Sequence, residues 1–378
     1  MQIAYFHFFV ASCITFTNES GVSSTLNRNV IVAAFASSLK MAMVDTNCGQ
    51  ALCRKKCSVP EHADRKRAAI SLIIMAVQGI LHSYVPDLVA FEFTDQKTPP
   101  APNVIVFIGG LSDGLLTVPY LQQLANGLEN VNSTSGSWCL VQTLISSSYN
   151  GWTSGSLERD VKELKKLVQY LRSEAGGSRR KIVLMGHLTG CQDTMEYLTK
   201  ICSHEEVSED SILDGAILQA PVSDREAMDM FKGTQVTQEL IEECKRDFLE
   251  KGRQNEMLPP KFSFFDTQLT AYRFHSLAAP GGDDDYFSSD LTYEDHRKTF
   301  GIVNTPLLVL YGAKDECVPK SVDREALVKL WEASTNPYYW SPLSKVLQGA
   351  THNVGPGSDP GAVGDLVATV TKFVESLQ

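Results

Sequence analysis

The sequence predicts a doubly wound α/β domain with a mostly parallel sheet, because short apolar runs alternate with helical patterns. The runs are continuous, which is typical of strands that are covered on both faces. They are Val104–Ile108, Ile182–Met185, Ala216–Leu218 and Leu307–Tyr311. Between them, apolar residues repeat at helical spacing over Leu157–Leu171, behind a Ser156 able to cap the helix, and again over Val363–Phe373. Alternation of this kind predicts a parallel sheet with right-handed crossovers.

Two segments depart from this alternation. Residues 1 to about 80 mix Ser, Asn, Cys and basic clusters without a sustained period, so we expect an extension that makes few contacts with the domain. Residues 222–305 are polar, with one predicted helix at Thr237–Lys251 and an acidic loop at Asp283–Asp285. A long insertion at the edge of such a sheet is typically a lid over a site. The sequence therefore predicts one domain over residues 81–378, with a lid insertion at about 222–305.

Composition excludes several classes of function. The net charge of −10 would repel a polyanion, so we expect no nucleic-acid partner. No apolar run reaches the roughly 18–20 residues of a membrane span, so we expect no membrane partner. The odd number of cysteines, nine, is typical of free thiols in a reducing compartment, and we predict a cytoplasmic protein. Cys48, Cys53, Cys57 and His62 match no common zinc spacing, so we expect no metal and no cofactor.

A candidate nucleophile elbow lies where the strand Ile182–Met185 runs into a helix. The segment Lys181–Asp193 reads KIVLMGHLTGCQD. The elbow motif is Gly-x-Ser-x-Gly, in which glycines flank the central residue because the turn is too tight for side chains beside it. Here Gly186 and Gly190 are present, but the centre is Leu188. Two glycines four residues apart are a weak signal alone, so the prediction depends on the segments around them.

Three further segments lie at the strand ends that such a site requires. Phe107–Gly114 (FIGGLSDG) follows an earlier strand, where hydrolases with this elbow place an oxyanion loop. Asp315 follows a buried strand, and His352 lies in a loop before the last helix. Each alone has a plainer explanation: a glycine pair for close packing, a turn residue or a loop histidine. In the order elbow, acid, histidine they predict an α/β-hydrolase fold in which Asp315 lies within hydrogen-bond distance of His352.

From about His82 to the C-terminus, the chain resembles a fungal and plant α/β-hydrolase family that includes the intracellular siderophore esterases. These enzymes cleave ester-linked hydroxamates of the fusarinine type. The matching segments are FIGGLSDGLLTVPY (107–120), SSSYNGW (146–152), GHLTGCQD (186–193), QAPVSDREA (219–227), TAYRFHSLAAPGGDDDYFSSDL (270–291), YGAKDECVP (311–319) and ATHNVG (350–355). In that family the elbow reads GHSTG, so this chain departs from the pattern at Leu188.

The resemblance implies an esterase that uses Ser, His and Asp and acts on a small-molecule ester or an iron–siderophore complex. The corresponding catalytic positions are Leu188, His352 and Asp315, and the oxyanion N–H groups would come from Gly110, Leu111 and Thr189. The candidate substrate contacts are Ser112, Tyr149, Trp152 and Asp284. The Asp283–Asp285 loop would pair with the ammonium groups of ornithine-derived siderophores, or would be a solvated charged loop.

Leucine cannot attack a carbonyl or donate a proton, so two classes of function remain open. The first is a siderophore ester hydrolase that helps to release iron inside the cell. In that case a hydroxyl of Ser112 or Thr189, or a water activated by His352, attacks the ester more slowly than a serine nucleophile would. The second is a catalytically dead binding or regulatory protein on the same scaffold. A strain variant or a sequencing error at position 188 is a third explanation of the leucine, because serine and leucine codons can differ by one base.

Overall fold

The computed structural model describes residues 76–94, 100–131, 136–203 and 207–377. The strands are Gly79–Val85 (β1), Leu88–Phe93 (β2), Asn103–Ile108 (β3), Trp138–Thr143 (β4), Lys181–His187 (β5), Gly215–Gln219 (β6), Leu307–Gly312 (β7) and Lys345–Leu347 (β8). The helices are Leu121–Leu128 (α1), Leu157–Arg172 (α2), Gly190–Tyr197 (α3), Asp224–Lys232 (α4), Thr234–Asp247 (α5), Ala271–Ala278 (α6), Tyr293–Thr299 (α7), Arg324–Ser334 (α8) and Ala362–Ser376 (α9). The predicted N-terminal extension lies outside the described residues up to position 75, and β1 already begins at Gly79.

The strands form one sheet in the order β1-β2-β4-β3-β5-β6-β7-β8. The β1–β2 hairpin and the β2–β4 pair are antiparallel, and every other pair from β4 to β8 is parallel. Helices cover both sides of the sheet, so β3, β6 and β7 are buried at every position. The predicted mostly parallel α/β fold is confirmed. The four predicted runs correspond to β3, β5, β6 and β7. The strands without such a run include β4, whose apolar run is broken by Gln142 and Thr143, and the three-residue β8.

Helix α2 shows how the local sequence sets an element. The hydroxyl of Ser156 accepts a hydrogen bond from the backbone N–H of Arg159, as the sequence predicted for the cap. The apolar positions of the helix face the sheet, and Leu164, Leu167 and Leu171 are fully buried. Burying each leucine contributes about 1.5–3 kcal/mol. The helix therefore packs firmly beside the elbow helix α3.

The insertion between β6 and β7 has an apolar core of its own, which the sequence did not predict. Phe262, Phe264 and Phe274 are buried in it, together with apolar residues of α4, α5 and α6, and Trp152 packs into the same cluster. Its long helix, α5, begins at Thr234 and ends at Asp247, three and four residues earlier than predicted. The insertion is therefore a packed layer that contacts the 3₁₀ turn containing Trp152.

Within the described part of the chain, no helix has both the length and the apolar character needed to cross a bilayer.

Candidate active site

The elbow is formed where β5 ends at His187 and α3 begins at Gly190. Leu188, between them, has φ +53°, a left-handed conformation that costs an ordinary residue about 1–2 kcal/mol. A Cβ at Gly186 would lie 2.1 Å from the carbonyl oxygen of Gly190. A Cβ at Gly190 would lie 2.4 Å from the carbonyl oxygen of Ile108. Both glycines are thus required by close approach of the backbone.

The Leu188 side chain lies against the loop that follows β3. A Cβ placed on Gly110 would be 2.5 Å from both Cβ and Cδ2 of Leu188. The branched side chain therefore fills the space next to the backbone of that loop, which is where an elbow serine would hold the reacting carbonyl. The backbone at position 188 has the conformation of an attacking residue, but the leucine side chain has no nucleophilic atom.

Asp315 and His352 come from loops after β7 and β8. The two carboxylate oxygens of Asp315 lie 2.9 and 3.1 Å from His352 Nδ1. The backbone N–H of Cys317 donates to Asp315 Oδ1 at 2.9 Å, and the backbone N–H of His352 donates to Glu316 Oε2 at 3.0 Å. Burial alone would lower the pKa of His352, but the hydrogen bond and charge of Asp315 outweigh it and raise that pKa well above its usual range. The pair thus holds the imidazole in a fixed orientation.

Gln219, at the end of β6, joins the two halves of the site. Its carbonyl oxygen accepts from the backbone N–H of Leu188 at 3.3 Å, and its side-chain amide donates to the carbonyl oxygen of His352 at 3.1 Å. Its Oε1 lies 2.6 Å from His187 Nδ1 and accepts from the hydroxyl of Tyr120 at 2.9 Å. The rings of His187 and His352 are 5.0 Å apart, so the elbow and His352 meet at one end of the sheet. Burial, with the charge of His352, lowers the pKa of His187 to about 4.

The oxyanion loop needs a correction at Gly110. Its backbone N–H donates to Asp113 Oδ2 at 2.9 Å, so this donor is already used, contrary to the sequence prediction. Among the described residues, the backbone N–H groups of Leu111 and Thr189 have no acceptor. These two donors flank Leu188 and remain available to a developing oxyanion.

The candidate substrate contacts divide into two groups. Ser112 is exposed, and its hydroxyl accepts from the indole N–H of the buried Trp152 at 3.1 Å. Tyr149 is half exposed, and its hydroxyl accepts from the backbone N–H of Leu115 at 3.1 Å. Asp284 does not face solvent: it is buried and forms an ion pair with Arg273 at 2.6 Å. It is therefore an internal partner and does not contact a substrate, contrary to the prediction.

The neighbours of Asp284 are also internally paired. Asp283 accepts from the hydroxyl of Tyr272, and Asp285 forms an ion pair with Arg225 at 3.3 Å. Asp283 is exposed, as expected of a solvated loop, whereas arginines engage Asp284 and Asp285. The loop therefore does not present three carboxylates that are free to bind ammonium groups.

A small cavity beside the elbow contains charged residues that the sequence did not single out. Its lining combines backbone of the oxyanion loop and elbow with polar side chains from α2, α3 and α6, among them Asp160, Asp193 and Arg273. The signal that could have indicated Asp193 is its position in the first turn of an elbow helix that is otherwise buried. Arg273 could not be placed there from sequence, because it reaches the cavity from the insertion.

One group of described residues could hold a metal ion. Asp315, Cys317 and His352 each offer a ligand atom, and these atoms lie within 4.8 Å of one another. A metal bound at Nδ1 of His352 would replace the hydrogen bond to Asp315. The donor set therefore fits a base and its orienting carboxylate better than a resident metal.

Comparison with known proteins identifies the family. Residues 69–375 match the family model described as "Protein of unknown function (DUF1749)". The chain is 39% identical over 320 residues to a UPF0613 protein of Schizosaccharomyces pombe, covering 79% of this chain and 98% of the relative. It is 33% identical over 345 residues to fusarinine C esterase sidJ of Aspergillus fumigatus, covering 79% and 96%.

The solved structures place the fold. The siderophore hydrolase EstB of Aspergillus fumigatus superposes with a TM-score of 0.65 at 33% identity, covering 80% of this chain and 98% of that one. A monoglyceride lipase variant of Saccharomyces cerevisiae, at 10% identity and a TM-score of 0.51, shares the fold. The chain therefore has the α/β-hydrolase fold and belongs to the DUF1749 family.

Proposed function

We propose that this protein is a carboxylic ester hydrolase of the siderophore-esterase type, which cleaves an ester of a fusarinine-like hydroxamate siderophore. The observation that carries the proposal is the Asp315–His352 hydrogen bond, which holds a base at the elbow next to two unused backbone donors. A fusarinine C esterase and a siderophore hydrolase, each 33% identical over nearly the whole domain, support this substrate class.

In the proposed step, His352 Nε2 takes a proton from a water molecule whose oxygen bonds to the ester carbonyl carbon. The N–H groups of Leu111 and Thr189 stabilise the resulting oxyanion. The protonated His352 then returns its proton to the leaving alkoxide as the carbon–oxygen bond breaks, which yields an acid and an alcohol. Without a serine nucleophile, we expect a rate far below that of a complete triad.

We place this activity in the cytoplasm, where ester cleavage would help to release iron from a siderophore. The five cysteines among the described residues all have free thiols, which supports a reducing compartment.

A second function, ligand binding without turnover, is favoured by the position of the Leu188 side chain. Because that side chain fills the space beside Gly110, a bound ester carbonyl would be kept away from the oxyanion donors. On this alternative the protein would bind the same ligand class as a binding or regulatory protein.

Turnover of a fusarinine-type ester by four proteins separates the two functions. They are the unmodified protein, Leu188→Ser, Leu188→Ala and His352→Ala. Both substitutions at 188 remove the bulk of leucine, but only serine adds a nucleophile. We expect slow hydrolysis by the unmodified protein that His352→Ala abolishes, and a gain in kcat of several orders of magnitude, up to about 10⁶, for Leu188→Ser alone. If Leu188→Ser and the unmodified protein are both inactive but bind the ester, the binding function is correct.

A further inference from the structure

Three side chains around the candidate base carry the kinds of donor atom that zinc binds. Asp315, Cys317 and His352 each offer one ligand atom, and these atoms lie within 4.8 Å of one another. They supply one oxygen, one sulfur and one nitrogen. Zinc binds carboxylate, thiolate and imidazole ligands with bonds of about 2.0–2.3 Å, whereas magnesium and calcium prefer oxygen ligands. The donor set therefore favours a zinc ion over the harder divalent cations.

The backbone brings the three side chains together before any ion binds. The N–H of Cys317 donates to Asp315 Oδ1 at 2.9 Å, within the turn that follows β7. The N–H of His352 donates to Glu316 Oε2 at 3.0 Å, which ties the loop after β8 to this turn. Adjacent ligand atoms of a tetrahedral zinc lie about 3.3–3.6 Å apart, as its bond lengths require. Because the three ligand atoms already lie within 4.8 Å of one another, small side-chain movements complete the coordination.

The charges of the ligands balance the charge of the ion. Asp315 has no exposed side-chain surface and His352 has little, so an uncompensated charge between them would be costly. Zinc carries two positive charges, and the Asp315 carboxylate and the Cys317 thiolate carry two negative ones. Binding releases the thiol proton and leaves the site neutral. Cys317 is partly exposed, which gives the ion a route to the site.

A zinc ion in this position would remove the base. Nδ1 of His352 faces Asp315, at 2.9 and 3.1 Å from its two carboxylate oxygens, so it is the nitrogen that the ion would bind. A neutral imidazole carries one proton, and with zinc on Nδ1 that proton resides on Nε2. Nε2 is then a donor and cannot accept a proton from water or from a serine. Occupancy by zinc and base catalysis therefore exclude each other.

We propose that Asp315, Cys317 and His352 form an inhibitory zinc site, in which the ion replaces the Asp315–His352 hydrogen bond and inactivates the base. The ion is a reversible inhibitor and not a resident cofactor, because His352 acts as a base only when the site is empty. This inference goes beyond ester hydrolysis, and binding of the ion is measured independently of any turnover.

Binding of cobalt(II) to the full chain tests the site without an activity assay. Cobalt(II) accepts the same nitrogen and sulfur ligands as zinc, and a cobalt–thiolate bond gives a charge-transfer absorption band in the near ultraviolet. We expect this band in the unmodified protein, and we expect an excess of zinc to remove it. If cobalt(II) gives no such band, the site is overturned.

Matched cysteine variants assign the band to Cys317. The chain has another group of thiols at Cys48, Cys53 and Cys57, which must be tested as the source of the band. Cys317→Ser removes the sulfur and keeps the size of the side chain, so it should abolish the band and weaken zinc binding at least about tenfold. The triple serine variant of the other group should keep the band. A band that persists in folded Cys317→Ser, or is lost in the triple variant, overturns the assignment.

Turnover by Leu188→Ser distinguishes failure of the zinc site from failure of the proposed function. Zinc should lower kcat by about 10²-fold or more and leave KM unchanged, because the ion removes the general base, and a chelator should restore kcat. Adding Cys317→Ser should remove most of this inhibition. Equal inhibition of both proteins overturns the site, while ester hydrolysis stands. If Leu188→Ser hydrolyses no ester, the proposed function is wrong, and the cobalt band alone decides whether the site exists.

Discussion

The site has two halves, the elbow at Leu188 and the pair Asp315 and His352, which we call the histidine half. They differ in which parts of a Ser–His–Asp site each retains. In the histidine half, both side chains are present and bonded, with Asp315 2.9 Å from His352. In the elbow half, the backbone has the left-handed turn of an attacking residue, but its side chain is that of Leu188. The two halves come from separate segments, so one can lose its chemistry while the other keeps its geometry. The difference teaches that the turn is imposed by packing of the glycine backbone and not by the residue at its centre.

The largest expected effect tests whether the histidine half is competent. In the Leu188→Ser background, His352→Ala should lower kcat/KM by about 10⁴-fold or more, because the serine loses its base. Asp315→Asn should cost about 10⁴-fold, since the imidazole loses the partner that fixes its tautomer. Steady-state kinetics with a fusarinine-type ester measures both. If Ser112→Ala or Thr189→Ala removes the activity and His352→Ala does not, His352 is not the base of the reaction.

Stability tests whether the elbow backbone is held by its glycines. Gly190→Ala would place a Cβ 2.4 Å from the carbonyl oxygen of Ile108, and we expect it to lower the free energy of unfolding by about 1–3 kcal/mol or more. Gly364→Ala is the matched control, because a Cβ there meets nothing and the residue lies in α9, where alanine should add about 0.5–1 kcal/mol. Urea unfolding measures both. Equal effects would show that the elbow tolerates side chains.

The pH profile sharpens the description of the histidine half. A base must be neutral to accept a proton, and Asp315 raises the pKa of His352 against the effect of burial. In Leu188→Ser, kcat/KM should therefore rise with pH through that raised pKa. Adding Asp315→Asn removes the cause, so the rising limb should move to lower pH. If the rising limb of kcat/KM stays at the same pH, the titrating group is not His352.

The last prediction concerns Asp224. No cation is hydrogen-bonded to this carboxyl within the described part of the chain, whereas Asp315 is bonded to His352. Burial, with the charge of Asp284, raises the pKa of Asp224 to about 8, while its Oδ2 accepts from the amide of Gln192 at 2.7 Å. Because the folded-state pKa is the higher one, the stability that this carboxyl contributes is lost as the pH rises from about 4 to 8. Asp224→Asn keeps the acceptor and should stabilise the protein more at pH 8.5 than at pH 5. Thermal unfolding at the two pH values measures this, and a pH-independent difference would contradict it.

Sequence reasoning reached those features that depend on local pattern and order. The strand–turn–helix at Leu188 is local, because an apolar run leads directly into two glycines at fixed spacing. The approach of Asp315 to His352 followed from the order of segments, because parallel strands bring their carboxyl ends to one edge. The hydrogen bond from the Gly110 N–H could also have been predicted, since its acceptor, Asp113, lies only three residues away.

The rest depended on long-range packing that no period in the sequence reveals. The aromatic residues that form the core of the insertion, such as Phe262 and Phe274, follow no single helical or strand repeat, so the segment read as polar. That Arg273 lines the same cavity as Asp193, 80 residues earlier, depends on how the insertion packs. The pairing of Asp284 with that arginine likewise removed a predicted substrate contact.

The bonds of Arg273 also have a kinetic consequence. This residue belongs to the insertion, but its Nε donates to the carbonyl oxygen of Trp152, whose indole in turn donates to Ser112 in the oxyanion loop. Moving the insertion outward would break these hydrogen bonds and expose the apolar core that contains Phe262 and Phe274. If ligand binding required this movement, the observed rate constant of association would reach a limit at high ligand concentration. Because the insertion is fastened here, we expect that rate constant to rise in proportion to ligand concentration without a plateau.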